Sequence, residues 1–168
     1  MTLGVLSALS GALAARVQSA RGCGHVRVAL AELAPRAARS DEAIVEELFA
    51  HAGVRPMRAA PRAMIAVSLE LARTHLQRLL LEDMAYGTSL ASVGEAAALV
   101  DEFLTQTGVH DAGTRYFTNG DPFGEIALRS LDGVAIRSWT PCTDATFDTG
   151  VVVVGSRRAG LLWVEDED

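Results

Sequence analysis

The sequence predicts a single α+β domain over residues 1–168, with N-terminal helices packed on a C-terminal meandering antiparallel sheet. Apolar residues recur at helical spacing up to about residue 108 and at strand-like spacing over about 114–165. Residues 151–154 are four consecutive valines, which is typical of a strand buried on both faces. The chain can turn after them so that 161–164 return as a second strand. We expect this pair at the centre of the sheet.

The first helix is predicted from apolar residues at helical spacing, and Gly22-Cys23-Gly24 ends it. Its expected inner stripe is Val5, Leu6, Leu9, Leu13 and Val17. Residues 25–33 fit either structure, because alternating apolar residues favour a strand and interspersed alanines favour a helix. A helix is the preferred interpretation there, and a strand is the alternative.

Two further helices are predicted in the first half of the chain. Ser40 or Asp41 can cap one that ends at Gly53. Its expected buried stripe is Ile44, Val45, Leu48 and Phe49. Pro61 fits the first turn of a long helix that extends to about Met84. The breadth of the apolar surface of this last helix predicts a central position in the fold.

The second half begins with a capping box, Ser92-Val93-Gly94-Glu95, which opens a helix ending near Gly108. Its inward side chains are expected to be Ala96, Leu99, Val100, Phe103 and Leu104. Strand-like spacing follows from residue 115, and a turn is predicted over 119–122. Segments 125–131 and 134–139 flank Asp132-Gly133, a two-residue hairpin signal.

Charge is distributed unevenly along the chain. All fifteen basic residues are arginines, and the net charge is −6. Residues 1–91 carry ten arginines and eight acids, for a charge of +2, whereas 92–168 carry five arginines and thirteen acids, for −8. Binding to phosphates requires concentrated positive charge, so the sequence argues against a nucleic-acid partner and favours a basic protein partner.

Cysteine usage and the N-terminus favour a cytoplasmic protein. Cys23 and Cys142 are the only cysteines, which does not suggest a disulfide scaffold. The uncharged stretch 1–15 lacks the basic residues of a signal peptide and is short for a membrane span. An ordinary first helix is the expected structure, and no membrane association is predicted.

Neither a metal nor an organic cofactor is expected. The possible metal ligands lack the spacing of a zinc site. They are Cys23, His25, His51, His75, His110 and Cys142. The Walker lysine and the dinucleotide-binding glycine pattern are also missing. Cys142 is expected to be a packed or loop thiol.

The most plausible enzymatic cluster is polar and lies around the predicted sheet. It comprises His110, Asp111, Arg115, Asp121, Asp144 and Asp148. A histidine with carboxylates can perform acid–base chemistry, and an arginine can hold an anion. Each of these residues also fits an ordinary turn or loop, so no catalytic residue is predicted.

Four segments of the second half resemble small acidic bacterial immunity proteins of polymorphic-toxin systems. These are residues 83–88, Tyr116-Phe117-Thr118-Asn119-Gly120-Asp121, Trp139-Thr140-Pro141 with Phe147-Asp148-Thr149-Gly150, and Leu162 to Asp168. The resemblance implies a cytoplasmic protein that binds a cognate toxin domain and blocks it. Such families share no catalytic residues, so it assigns none.

We therefore expect a non-catalytic module that binds a basic protein, such as a toxin domain, through its acidic C-terminal half. The expected partner-binding residues are Asp121, Glu125, Asp144, Asp148, Glu165, Asp166, Glu167 and Asp168. Two alternatives stay open. One is a small hydrolase or nucleotide-modifying enzyme that uses His110 and nearby carboxylates. The other is an assembly subunit, such as a homodimer, that pairs through a strand edge.

Overall fold

The computed structural model describes residues 3–34, 39–55, 63–124 and 128–167. The helices are α1 (Ser7–Arg21), α2 (Asp41–His51), α3 (Leu69–Leu81) and α4 (Val93–Gln106). The strands are β1 (Gly4–Val5), β2 (His25–Glu32), β3 (Ile65–Val67), β4 (Arg115–Thr118), β5 (Leu128–Arg129), β6 (Ala135–Ile136), β7 (Phe147–Val154) and β8 (Arg158–Asp166). This arrangement confirms the predicted α+β class.

Six strands form one antiparallel sheet in the order β1-β2-β8-β7-β4-β3, and β5 and β6 form a separate hairpin. The predicted central pair, β7 and β8, occupies the two middle positions, and residues 151–154 are fully buried. Helices α1, α3 and α4 contribute to the core on one face of the sheet, and α2 packs on the other. No described helix has both the length and the apolar character that a membrane span requires.

The predicted helices α2 and α4 are confirmed with their caps and stripes. Ser40 and Ser92 accept hydrogen bonds from the backbone N–H groups three residues later. All four stripe residues of α2 and all five of α4 are buried. These helices were predictable because the capping residue and the helical spacing of the apolar residues indicate the same helix.

The preferred interpretation of residues 25–33 as a helix is wrong, because 25–32 form β2, paired along its whole length with β8. Val28 and Leu30 point to one face, and Ala29 and Ala31 point to the face that α2 covers. The alanines that suggested a helix are the small residues of a strand beneath a closely packed helix. Tertiary packing, not local propensity, decides this element.

Two other helix predictions need correction. The expected helix from Pro61 to Met84 begins only at Leu69, capped by Ser68, and β3 precedes it. Pro61 itself lies outside the described residues. In α1 the buried positions are Ser10, Leu13, Val17 and Arg21. Leu9 is 45% exposed and Val5 belongs to β1, so the stripe is shifted from the predicted one.

Gly150 in β7 fixes how closely β8 and Trp163 approach. A Cβ atom at this position would lie 2.1 Å from the Leu162 carbonyl oxygen and 2.8 Å from the Trp163 Cα. We expect Gly150→Ala to lower the free energy of unfolding by about 1–3 kcal/mol, the usual effect of overpacking. Urea unfolding measures this. The matched control is Gly94→Ala in α4, where an added Cβ meets nothing within 4 Å and no loss is expected.

Candidate functional site

The connection between β4 and β7, residues 119–146, is the longest connection between strands of the main sheet in which no helix is described, and we name it the β4–β7 segment. It begins and ends at one end of the sheet, where β7 starts and β8 finishes, and it contains the β5–β6 hairpin. Long connections in compact domains commonly carry function. The buried polar groups of this end determine how the segment is held.

Asn119 fastens the two ends of the β4–β7 segment together. Its side-chain amide donates to the carbonyl oxygens of Thr140 and Asp148, each at 3.0 Å. Its side-chain oxygen accepts from the Thr149 hydroxyl at 2.7 Å. Beside it, Gly120 has a φ of +122°, and a Cβ there would lie 2.2 Å from the Ser138 carbonyl oxygen. Glycine is therefore required where the outgoing and returning chains meet.

Asp148 joins the end of the segment to the sheet. Its buried carboxylate accepts from the Cys142 N–H at 2.9 Å and from the Trp163 indole N–H at 3.3 Å. The Oδ1 atom of this carboxylate has no hydrogen-bond partner among the described residues. Burial raises the pKa of Asp148 to about 6, although hydrogen bonds from Cys142, Trp163 and Thr143 act in the opposite direction.

His75 of α3 contacts the hydrogen bonds of Asn119 and Thr149 from the face of the sheet opposite to the Asp148 side chain. Its Nε2 atom lies 2.9 Å from the Thr149 hydroxyl, which donates its proton to Asn119. The buried Nδ1 atom has no hydrogen-bond partner among the described residues. Burial lowers the pKa of His75 to about 4. Neither His75 nor Thr149 reaches solvent, so this pair supports the fold and not a reaction.

A second buried cluster fixes the end of β8. The Arg21 guanidinium lies 2.7 and 3.0 Å from the two Asp166 carboxylate oxygens and donates to the Leu79 carbonyl oxygen at 2.6 Å. Asp166 also accepts from the Met84 N–H at 3.0 Å. Both charged side chains are almost completely buried. The cluster joins the C-terminal ends of α1 and α3 to the last strand.

Three of the expected partner-binding acids, Asp121, Asp148 and Asp166, are buried and do not contribute to an exposed acidic face in the isolated chain. Asp121 accepts from the Phe123 N–H in a turn, and the other two belong to the clusters above. Asp144 and Glu167 are exposed, and Glu165 is half-buried beside Arg27 at 3.2 Å. Glu125 and Asp168 lie outside the described residues. Acids at strand ends thus serve mainly as internal hydrogen-bond acceptors.

The possible enzymatic cluster is divided between the two ends of the sheet. His110 and Asp111 line an open groove of about 560 Å³ with Glu32, Arg157 and Arg158, at the end where β7 finishes. Asp121 and Asp148 are buried at the other end, and Asp144 is exposed on the segment there. Arg115 is paired with Asp41 at 2.6 Å. In the described part of the chain, no hydrogen bond links His110 to a nucleophile.

The possible metal ligands are dispersed. No three His, Cys, Asp or Glu side chains among the described residues are grouped so that they could hold a metal ion. Cys142 is buried, and burial together with the Asp148 charge raises its thiol pKa to about 12. The burial of Cys142 confirms that it is a packed thiol. An un-ionised thiol is also a poor nucleophile.

The hairpin tip, Leu131 to Val134, was not recognised as a site from the sequence. Leu131 is 65% exposed and Val134 is 62% exposed, one on each side of Asp132-Gly133. Backbone hydrogen bonds hold the tip in place. The Leu131 N–H donates to the Ala66 carbonyl oxygen of β3, the Gly133 N–H to the Ser130 carbonyl oxygen, and the Val134 N–H to the Ser130 hydroxyl. The available signal was a pair of large apolar residues flanking a predicted turn.

No protein-family model, no curated protein and no solved structure matches this chain. The functional proposal therefore rests on the geometry of the described residues.

Proposed function

We propose that the protein is a non-catalytic binding module, a cytoplasmic bacterial immunity protein that binds and neutralises a cognate toxin. The hairpin tip is the central contact. The single observation that carries this proposal is that Leu131 and Val134 are large, apolar, solvent-exposed and anchored by backbone hydrogen bonds. Side chains already held in position lose little conformational entropy on binding, which favours affinity.

The exposed apolar pair has the properties of a binding hot spot. Neighbouring exposed apolar side chains on a folded monomer commonly mark an interaction surface. A few such side chains supply most of the binding energy in a typical protein interface. Leu131 and Val134 fill no part of either hydrophobic core, whereas Leu128 and Ile136 of the same hairpin are buried. One end of the hairpin thus anchors it, and the other is presented to solvent.

The segments that resemble immunity proteins support the same site. Asn119 of residues 116–121 donates to the carbonyl oxygens of Thr140 and Asp148, and Gly120 bridges to Trp139, so this segment contacts both 139–141 and 147–150. The Met84 N–H of residues 83–88 donates to Asp166 of the last strand. The first of these sets of contacts holds the two ends of the β4–β7 segment together.

The remaining exposed acids favour a basic partner. Asp144 and Glu167 lie at the same end of the sheet as the hairpin, and Glu167 accepts from the Thr146 hydroxyl at 3.0 Å. Exposed acids act mainly on the association rate and are screened by salt. We expect the tip to determine affinity and these acids to increase the association rate at low ionic strength.

The test begins by recovering the partner from the native cell with the tagged full chain, where one basic protein is expected in equal amount. We then expect Leu131→Ser/Val134→Ser to weaken binding of that protein about 100-fold, since two hot-spot side chains are removed. Surface plasmon resonance measures the change. In cells, the same variant should lose protection against the expressed partner.

The matched control is Leu9→Ser/Val93→Ser, which removes exposed apolar side chains of α1 and α4 (45% and 74% exposed) and should leave affinity unchanged. Equal loss in both double variants would contradict the assignment of the hairpin tip. Turnover of a nucleotide or ester by the isolated protein, abolished by His110→Ala, would contradict the proposed function itself.

A further inference from the structure

Among the described residues, β5 is the only strand that pairs with β6, so one edge of β6 is left without a partner strand there. Leu128 pairs with Ile136 and Arg129 with Ala135, and the Ser130 N–H donates to the Val134 carbonyl oxygen. In an antiparallel pair, residues alternate between those bonded to the partner strand and those whose backbone groups point away from it. Since 130 and 134 form a bonded pair, the N–H and C=O groups of Ala135 point away from β5. By the same alternation, those of Arg137 do too.

A groove of about 420 Å³ lies beside β6 and is lined by residues 135–138, together with Ser130 of the hairpin and Ile65 of β3. Ile65 and Val134 supply apolar surface, and no described hydrogen bond uses the backbone N–H or C=O of Ala135. An open strand edge beside an apolar groove is suited to the addition of another strand.

We propose that this edge binds an extended segment of the partner protein by β-strand addition. The inference rests on the proposed function in one respect, that the occupant is a protein. Alternate side chains of the segment enter the groove, so apolar residues at positions i and i+2 are required. Asp132, in the turn, and Arg137, directly after β6, both line the groove and would pair with a basic and an acidic side chain, which fixes the direction of the segment.

The experiment uses a phage-displayed library of linear ten-residue peptides, selected on the full chain. Enriched peptides should share apolar residues at alternating positions, with a basic residue near one end. Amide hydrogen exchange by NMR should show added protection at Ala135 and Arg137 when such a peptide is bound. This readout needs no variant and no native partner, so a failed partner capture and a failed strand addition are distinguishable.

The matched variants are Ala135→Pro and Val93→Pro. Proline at 135 removes the outward N–H but no hydrogen bond within the hairpin, and proline is tolerated at strand edges. Val93 is exposed at the first position of α4, outside the groove, where proline is also tolerated. We expect Ala135→Pro to weaken peptide binding about three- to tenfold, as for one lost backbone hydrogen bond, and Val93→Pro to leave it unchanged. The proposal is overturned if no peptide is enriched, or if bound peptides protect amides elsewhere. Equal binding by the two proline variants would also overturn it.

Discussion

Replacing Asp166 by asparagine is expected to lower the free energy of unfolding by about 3–5 kcal/mol. The Arg21 guanidinium is buried with this carboxylate as its ion-pair partner, and the substitution leaves an uncompensated charge inside the protein. Equilibrium urea unfolding at neutral pH measures the loss. Arg21→Met in the same chain should recover part of it, because the unpaired charge is then removed.

Glu167→Gln is the matched control for Asp166→Asn, since it neutralises the next acid in the chain, which is exposed. We expect a change within about 0.5 kcal/mol, as for most surface substitutions. An equally small change for Asp166→Asn would show that the buried pair does not hold β8 in place. For the same reason, the acidic tail is best tested with Glu165→Gln/Glu167→Gln, which leaves Asp166 unchanged.

Two buried ionisable groups, Asp148 of β7 and His75 of α3, are expected to give the free energy of unfolding opposite dependences on pH. The pKa of Asp148 rises from 3.8 to about 6, so its contribution is greatest below pH 3.8 and is lost as the pH rises through 6. The pKa of His75 falls from 6.5 to about 4, so its contribution is greatest above pH 6.5 and is lost as the pH falls through 4. Each shift corresponds to about 3 kcal/mol, and between pH 4 and 6.5 the two largely cancel.

Single variants separate the two titrations. Relative to the unmodified protein, Asp148→Asn should become more stable by about 3 kcal/mol as the pH rises from 4 to 6.5, because the cost of ionising a buried carboxyl is removed. His75→Gln should show the reverse, with its relative stability greatest at pH 4. Urea unfolding across this range gives the differences, in which other titrating groups cancel. Stability curves parallel to that of the unmodified protein would contradict the burial of these ionisable groups.

The elements that the sequence predicted well are those with agreeing local signals. The Ser40 and Ser92 caps precede regular apolar stripes, and residues 151–154 are too apolar for an exposed strand. The strand β2 was missed because its alanines fit a helix locally and acquire their role only beneath α2. The strand β3 is three residues long and directly precedes a helix, so its apolar residues merged with the helical pattern.

The site was harder to predict because charge alone does not show where a carboxylate lies. Arg21 and Asp166 are 145 positions apart, and no local pattern links them. Asp148 lies next to Thr149 in β7, yet the two side chains face opposite layers, one toward Trp163 and the other toward His75. The hairpin itself was predicted from Asp132-Gly133, but the exposure of Leu131 and Val134 depends on how the hairpin leans on β3.

The most direct measurement of the central proposal is an amide hydrogen-exchange footprint of the complex between the full chain and its captured partner. We expect protection to be concentrated on the β4–β7 segment, with the largest gain over residues 131–137. The groove around His110 and Arg158 should be unaffected, because no contact is proposed there. Protection confined to residues 108–111 and 155–158, with the hairpin unchanged, would contradict the assignment of the hairpin tip as the binding surface.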